Sequence, residues 1–380
     1  MRTQYSPLNS LRLGNWFKLI CGASYQHLPA VRNLTLAYTL AGADCVDVAA
    51  DPAVIAAAKA GLEIARPLGA IAAEKGFHYT GQPLLMISLN DGEDPHFRKA
   101  EFDSTACPVE CWRPCEAVCP AEAIAFSEAA SGVIDALCYG CGRCLPVCPS
   151  NLINARSYVS TPALVAPMLL SNGVDAVEIH TQVGREHDFK RLWENVQPRV
   201  NQLKLISISC PNHPDLIEYL LALSEIITPL SCDLIWQTDG RPMSGDIGAG
   251  TTNASIKLAQ KVLAADLPGF VQLAGGTNQS TVAKLRTLGL LPSTAPVLRD
   301  KSCSQSCGVG GIAYGSYART LLSTILEQLE SMPISAPTTI KPTNGARVVG
   351  TLETQPDVLW QAVSLAHSLV SQLKGFPLET

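Results

Sequence analysis

Short apolar runs rich in β-branched residues alternate along this chain with longer amphipathic stretches rich in alanine and leucine. This alternation is typical of βα units, in which each strand of a parallel sheet is followed by a helix. It predicts eight strands, at 16–22, 45–50, 83–89, 176–181, 203–210, 233–240, 269–276 and 311–316. It predicts helices near 31–42, 52–75, 161–171, 185–199, 212–227, 252–265, 279–288 and 316–330.

Eight strand–helix units are the number found in a (β/α)8 barrel of about 250 residues. The predicted α/β body comprises residues 1–106 and 151–330, so the segment 107–150 is an insertion after the third strand. In a barrel that loop opens on the C-terminal face, where binding sites lie. The alternative is an open, doubly wound sheet, because the order of strands does not follow from one sequence. We predict a barrel-like body with an inserted module.

The end of the chain differs in composition from the body. Residues 331–356 contain four prolines and few large apolar groups, which is typical of a linker. A last helix is predicted in 357–380, with apolar positions spaced for packing on the body. These positions are Leu359, Val363, Leu365 and Leu369.

The charge balance argues against two classes of partner. The chain has 28 basic and 33 acidic residues, and it contains no block of Lys and Arg for a nucleic acid or an anionic membrane surface. No segment reaches the roughly 18 apolar residues that a transmembrane helix needs, and the start lacks the apolar run of a signal peptide. We expect a soluble, cytoplasmic protein.

Fourteen cysteines are many for 380 residues, and eight of them fall between positions 107 and 148. In a reducing compartment, clustered cysteines more often bind metal than form disulfides. The run "CYGCGRCLPVCP" has the spacing of bacterial ferredoxins, in which three close thiolates hold one [4Fe–4S] cluster. Gly140 and Gly142 suit this role because the backbone must wrap closely around the inorganic sulfides.

The preceding stretch, "CPVECWRPCEAVCP", has three residues in every gap, so its first two gaps are one residue longer than in a ferredoxin. The whole block nevertheless resembles two-cluster ferredoxins, in its 18 residues between Cys119 and Cys138 and in "CPAEAI". The resemblance implies cross-ligation, with one cluster on Cys107, Cys111, Cys115 and Cys148 and the other on Cys138, Cys141, Cys144 and Cys119. The longer spacing leaves a [3Fe–4S] or labile cluster open for the first set.

Zinc is the alternative occupant of this block. Two close cysteine pairs 15 to 20 residues apart form a zinc ribbon, and four cysteines approximate that pattern: Cys115, Cys119, Cys138 and Cys141. Zinc would leave four more cysteines and both Cys-Pro terminations unexplained. We therefore favour iron–sulfur clusters.

A second candidate site lies at the ends of the last two predicted strands. Barrels often hold a phosphate there, where glycines expose backbone N–H groups and a helix N-terminus adds partial positive charge. The residues concerned are Gly275, Gly276, Thr277, Gly315 and Ser316. The pair of loops is similar to those of FMN-binding barrels, although ordinary βα turns also require glycine. Further polar groups could face the same mouth: Lys18, Asp47, Asn90, His180, Asp239 and Arg241. None is assigned a catalytic role.

Three stretches together resemble one family, the light-dependent period A proteins of cyanobacteria. They are the opening from "LRLGNWFKLICG" to "CVDVAADPAVI", the loop "CPVECWRPCEAVCPAEAI" and the run "CYGCGRCLPVCPSNLI". The resemblance implies an iron–sulfur protein that reports the redox state set by photosynthetic electron flow to the circadian clock. Its implied partners are components of the Kai oscillator and an input histidine kinase. The alternatives are a barrel oxidoreductase whose clusters serve a bound flavin, and a plain electron carrier.

Overall fold

The computed structural model describes residues 6–119, 121–127, 131–157, 173–241, 248, 250–291, 308–331 and 351–374. The strands are β1 (Trp16–Gly22), β2 (Cys45–Ala49), β3 (Leu84–Asn90), β4 (Arg98–Glu101), β5 (Ile124–Phe126), β6 (Ser131–Val133), β7 (Asn154–Ser157), β8 (Ala176–His180), β9 (Leu205–Pro211), β10 (Asp233–Asp239), β11 (Phe270–Ala274) and β12 (Gly311–Tyr314). The helices are α1 (Pro7–Leu13), α2 (Leu28–Ala41), α3 (Pro52–Glu74), α4 (Pro114–Ala117), α5 (Glu186–Val196), α6 (Leu216–Ile227), α7 (Thr252–Leu263), α8 (Thr281–Thr287), α9 (Ser316–Ser331) and α10 (Pro356–Lys374).

Eight parallel strands close into a barrel in the order β1-β12-β11-β10-β9-β8-β3-β2. All eight predicted strands are present, the (β/α)8 prediction is confirmed, and the open doubly wound sheet is excluded. Strand β3 pairs directly with β8, with Met86 opposite Ala176. The cysteine segment therefore leaves the barrel at the C-terminal end of β3 and returns before β8, on the face where barrel sites lie.

Each barrel strand is apolar on the side that faces the helices. On the side that faces the barrel interior, the residues are apolar near the N-terminal end and polar further along. Residues such as Phe17, Val46 and Ile87 belong to the large core between the barrel and its helices. A separate cluster, which includes Trp16 and Met86, fills the N-terminal part of the barrel interior. Because side chains alternate between the two faces of a strand, the next interior positions are polar. One of them is Lys18, which is fully buried.

Helix α1 lies against the N-terminal end of the barrel, and the sequence pattern did not predict it. Its Leu11 is fully buried in the interior cluster, and Arg12 donates from Nη2 to Oδ2 of Asp233 at 2.7 Å. A proline begins the helix and Gly14 ends it in the left-handed conformation, at φ 75°. This is the usual distribution of proline and glycine at helix ends. Helix α1 therefore covers the barrel end opposite the insertion.

An antiparallel pair of strands lies just outside the predicted insertion 107–150, one strand before it and one after it. Strand β4 pairs with β7, with Arg98 opposite Ser157, and β5 pairs with β6 further inside the segment. Lys99 on β4 joins the insertion to the barrel, because its Nζ donates to Gln26 Oε1 at 2.8 Å and to the Asp135 carbonyl at 2.7 Å. The two chain crossings between barrel and module thus lie side by side.

Helix α10 packs on the barrel layer, with Leu359, Val363 and Leu369 buried in the large core. None of the described helices is both long and apolar enough to cross a bilayer. The predicted helix near 161–171 lies outside the described residues, as does the part of the predicted linker from 332 to 350.

Candidate functional site

The eight clustered cysteines fall into two electrostatic groups. Burial, and after it the neighbouring thiols of Cys141, Cys138 and Cys119, raise the pKa of Cys144 to about 12. A different set surrounds Cys107, whose pKa is raised by burial and then by Cys111 and Cys148. The thiols near Cys115 are those of Cys148 and Cys107. The two groups match the two ligand sets that cross-ligation would use.

The second group, the four cysteines that include Cys144, lines one pocket. Its walls contain Cys119, Cys138, Cys141 and Cys144 together with Gly140, Gly142, Ala123 and Ile124. Both glycines have φ 73°, a left-handed conformation that favours glycine. Backbone N–H groups point at two sulfurs, from Ala123 to Cys119 Sγ at 3.2 Å and from Ala100 to Cys138 Sγ at 3.4 Å. Such N–H donors stabilise thiolate ligands of iron–sulfur clusters.

The first group, the four cysteines that include Cys107, lies closer to the surface. Burial would raise the pKa of Cys148, but backbone N–H groups of residues 150–153 lower it below its usual value. One of them, the N–H of Leu152, is 3.4 Å from the sulfur. Between the cysteines of this loop, Val109 and Trp112 are 93% and 77% exposed. The first group therefore has one stabilised sulfur, that of Cys148, and the loop that holds its other cysteines exposes large apolar side chains to solvent.

The cysteines do not have the spacing of a single tetrahedral ion. Zinc–sulfur bonds of about 2.3 Å place the sulfurs of a zinc site about 3.8 Å apart. Among the described residues, the group of three ligand atoms that lie within 4.8 Å of one another is Asp94, His96 and His180, without a cysteine. In the part of the chain that the structure describes, no three cysteine sulfurs are therefore gathered as closely as a zinc ion requires.

The five residues predicted to hold a phosphate or flavin share a second pocket, at the barrel mouth. Packing explains the two glycines after β11, because a Cβ on Gly275 would lie 2.8 Å from Arg241 N and one on Gly276 2.9 Å from Thr251 O. The hydroxyl of Thr277 donates to the Ala313 carbonyl at 2.6 Å. A role in ligand binding remains a prediction for these residues.

Below this pocket, charged groups are buried inside the barrel. Lys18 Nζ pairs with Glu178 Oε2 and lies 3.5 Å from Asp47 Oδ2. Burial would lower the pKa of Lys18, but these carboxylates raise it. For Glu178, burial raises the pKa and Lys18 lowers it well below its usual range. Glu178 also accepts from Gln237 Nε2 at 2.7 Å and Ser207 Oγ at 2.8 Å. The pair is therefore charged and internally satisfied.

Two histidines connect this network to the pocket. His180 Nε2 is 3.0 Å from Glu178 Oε1, and the ring centroids of His180 and His96 are 5.2 Å apart. Burial would lower the pKa of His180, but Glu178, Asp94 and Asp239 raise it to about 9. Burial would also lower the pKa of His96, but Asp94 raises it. Asp94 Oδ1 lies 2.8 Å from His96 Nδ1.

Tyr139 lies between the two pockets and lines both. It follows Cys138 in the chain, so it belongs to the cysteine loop. The Arg319 guanidinium carbon lies 4.4 Å from the centre of its ring, and Arg319 Nη1 donates to the Ile20 and Cys21 carbonyls at 3.0 Å. A cation over an aromatic face is attracted by the ring. The contact joins the cysteine loop to the first barrel strand and to helix α9, which follows the last strand.

The polar residues that were predicted to face the barrel mouth do not all lie there. His180 and Asp239 line the pocket; Lys18 and Asp47 lie buried deeper in the barrel. Asn90 is buried and donates from Nδ2 to the Gly92 carbonyl at 2.8 Å. Sequence reasoning missed Glu178, Asp94, His96 and Tyr139. An acidic residue inside the apolar run "AVEIH" was a usable signal for Glu178, since it shares a strand face with His180.

Two family models match the chain. "LdpA Fe-S cluster-binding domain" matches residues 107–159, and "Light dependent period A C-terminal domain" matches residues 168–372. A curated relative from Synechococcus elongatus, named "Light dependent period A", is 51% identical over 368 residues, which cover 97% of this chain and 94% of the relative.

Among solved structures, two forms of tryptophan synthase from M. tuberculosis are similar at 12% identity. The open form with BRD0059 bound has a TM-score of 0.40, with 97% of this chain and 99% of that chain covered. The aminoacrylate-bound form has a TM-score of 0.41, with 97% and 100% covered. Both likenesses are too weak to bear on function.

Proposed function

The chain belongs to the light dependent period A family, and we propose that it is a cytoplasmic iron–sulfur redox sensor for the circadian clock. In this proposal, cellular redox state changes the cysteine module, and the module changes the affinity of a partner protein. The observation that carries the proposal is the sorting of eight cysteines into two groups of four. The family match to an Fe–S-binding domain supports it.

We assign two [4Fe–4S] clusters to the module. The first is held by Cys107, Cys111, Cys115 and Cys148, and the second by Cys138, Cys141, Cys144 and Cys119. A [3Fe–4S] or labile cluster is the alternative for the first set, because its loop is longer and more exposed. When bound, each cluster takes up and releases an electron at a potential set by hydrogen bonds, charge and solvent exposure.

The first loop supplies the surface for partner binding. Val109 and Trp112 are large, apolar and exposed, and they lie next to proposed ligands of the first cluster. Tryptophan is enriched among the residues that dominate protein–protein affinity. A partner that binds one state of this loop better than another shifts the population towards that state. By family resemblance, the partners are Kai oscillator components and an input histidine kinase.

The cluster assignment is tested by anaerobic purification followed by iron, sulfide and EPR analysis. We expect about eight iron and eight sulfide per chain for two [4Fe–4S] clusters. Cys141→Ser should remove the signal of the second cluster and leave the first, and Cys111→Ser should do the reverse. Colourless protein that contains zinc would refute the proposal. A pair of variants that lose the same signal would refute the cross-ligated assignment.

The sensing step is tested by measuring partner affinity for the oxidised, reduced and cluster-free protein. We expect the affinities to differ between states by at least about fivefold, the lower range of allosteric coupling. Trp112→Ala should weaken binding of the preferred state, whereas Leu288→Ala, at a 52% exposed position far along the chain, should not. Equal affinities for the three states would rule out sensing and leave a plain electron carrier.

One observation favours a second candidate, an oxidoreductase with FMN or another phosphate ligand in the barrel. Tyr139 forms a wall of both the cysteine pocket and the barrel-mouth pocket, so a ligand at the mouth would lie close to the second cysteine group. The residues proposed to hold it are Gly275, Gly276, Thr277, Gly315 and Ser316. Flavin analysis of the same anaerobic preparation tests this candidate. Protein that neither contains FMN nor binds it when FMN is added would exclude flavin.

A further inference from the structure

A group of three potential metal ligands lies beside the barrel mouth, apart from the cysteine module. One ring nitrogen each of His96 and His180 and one carboxylate oxygen of Asp94 lie within 4.8 Å of one another. Two chain segments supply these three residues, since His180 ends β8 whereas Asp94 and His96 lie two residues apart in the segment after β3. The strand pairing between β3 and β8 brings them together.

The surroundings of His180 are those of a metal-binding imidazole. Its side chain is 6% exposed, and Nε2 faces Glu178 Oε1 at 3.0 Å. The other ring nitrogen, Nδ1, is buried and has no hydrogen-bond partner among the described residues. Histidine ligands commonly donate their second ring N–H to a carboxylate, which fixes the tautomer and orients the ring. Here Glu178 provides that carboxylate and leaves Nδ1 to the metal, which takes the place of any proton on that nitrogen.

Glu178 is itself held in place. It accepts hydrogen bonds from Gln237 Nε2 at 2.7 Å and Ser207 Oγ at 2.8 Å, and it pairs with Lys18. A carboxylate restrained on several sides gives the imidazole one orientation. The support is therefore built into the barrel interior and does not depend on the mobile end of a surface side chain.

The set also has room for another ligand. His96 and His180 both line the pocket at the barrel mouth, as does the buried carboxylate of Asp239. Three protein ligands that leave an open position are typical of catalytic metal sites, whereas structural sites are closed by four. Two imidazoles and a carboxylate suit divalent first-row transition metals, such as Fe²⁺ and Zn²⁺, better than Mg²⁺ or Ca²⁺.

We propose that Asp94, His96 and His180 bind one divalent transition-metal ion at the barrel mouth, with Nδ1 of His180 as one donor and Glu178 as its positioning residue. The site is separate from the iron–sulfur clusters and is independent of the sensing proposal. Its open side faces the barrel-mouth pocket, so a small polar molecule in that pocket can complete the coordination of the metal.

Cobalt is the probe for this site, because it can be counted separately from cluster iron. Anaerobic protein with both clusters reconstituted is dialysed against Co²⁺, and bound cobalt is measured with an X-ray absorption spectrum at the cobalt edge. We expect one cobalt per chain with nitrogen and oxygen neighbours. His96→Gln and Asp94→Asn should each weaken binding about tenfold or more, since loss of supporting groups alone costs 10- to 100-fold.

His187→Ala is the matched control, because that side chain is 94% exposed and outside the group. It should bind cobalt like the unchanged protein. Circular dichroism and the cluster iron content show whether each variant is folded. If one of the two ligand variants does not fold, the other one alone tests the proposal. The proposal is overturned if no cobalt binds, if both folded variants keep full affinity, or if the cobalt has sulfur neighbours.

Discussion

The buried pair of Lys18 and Glu178 allows a sharp test of how the barrel interior is held together. The perturbation is Glu178→Gln, which keeps the size of the side chain and removes its charge. Lys18 is then left fully buried with Asp47 Oδ2 at 3.5 Å as its remaining carboxylate. Removing one member of a buried ion pair costs about 3–5 kcal/mol, because the other charge loses its compensation.

The contacts of Lys18 indicate that the loss of unfolding free energy for Glu178→Gln lies near the lower end of that range. Asp47 retains part of the attraction to Lys18, because its carboxylate is still mostly charged at neutral pH although burial raises its pKa to about 6. We expect about 3 kcal/mol of lost unfolding free energy. Lys18→Met should cost a similar amount. The double variant should cost about 0.5–3 kcal/mol less than the sum, which is the range of interaction energies between coupled neighbours.

The assay is anaerobic urea unfolding, followed by the fluorescence of the buried barrel tryptophans Trp16 and Trp236. Lys204→Met provides the control, because Lys204 Nζ lies 2.7 Å from Asp175 Oδ1 but its side chain is 57% exposed. An exposed pair contributes about 0–1 kcal/mol. If the two interior substitutions proved additive, or no larger than the control, the buried charges would not be coupled and the reasoning would be wrong.

Three further predictions concern local contacts. Asp51 accepts from Ala53 N at 2.8 Å at the start of α3, so Asp51→Ala should cost about 1 kcal/mol in urea unfolding and Asp51→Asn much less. Burial raises the pKa of Asp91 to about 6, above its unfolded value of about 3.9. Its favourable contribution is therefore present below about pH 4 and lost as the pH rises through 6. Asp91→Asn should flatten the decline in urea midpoint over that interval, and an unchanged profile would contradict this. Lys99→Met removes a hydrogen bond to Asp135 Oδ2 at 2.8 Å. It should speed proteolysis within 107–150 without altering amide exchange in the barrel strands. Equal cleavage rates would show that Lys99 does not anchor the module.

The barrel could be predicted from sequence because its strands are short apolar runs whose outward residues pack under helices. Helix α1 could not, because seven residues show too little periodicity to be distinguished from a loop. Its Pro7 and Gly14 were the available signals. The cysteine module could be predicted because the spacing of its cysteines along the chain is typical of cluster-binding sequences.

The barrel-mouth residues were only partly predictable for a physical reason. His180 and Asp239 lie at strand ends, whose positions follow from the strands themselves. His96 reaches the same pocket from a single 3-10 turn, Pro95–Phe97, in the segment after β3, and the path of such a segment depends on the whole fold. Tyr139 lies in a predictable motif, but its place against Arg319 arises from the packing of the module on the barrel.

The side-by-side crossings at β4 and β7 have a consequence for how the protein is made. The eight-stranded sheet closes through β3 and β8 without any strand of the cysteine segment. We therefore expect the barrel to assemble without iron, so that a cell short of iron accumulates chains with a complete barrel and an unloaded cysteine module. Loading can then follow as a later event, on a scaffold that is already finished.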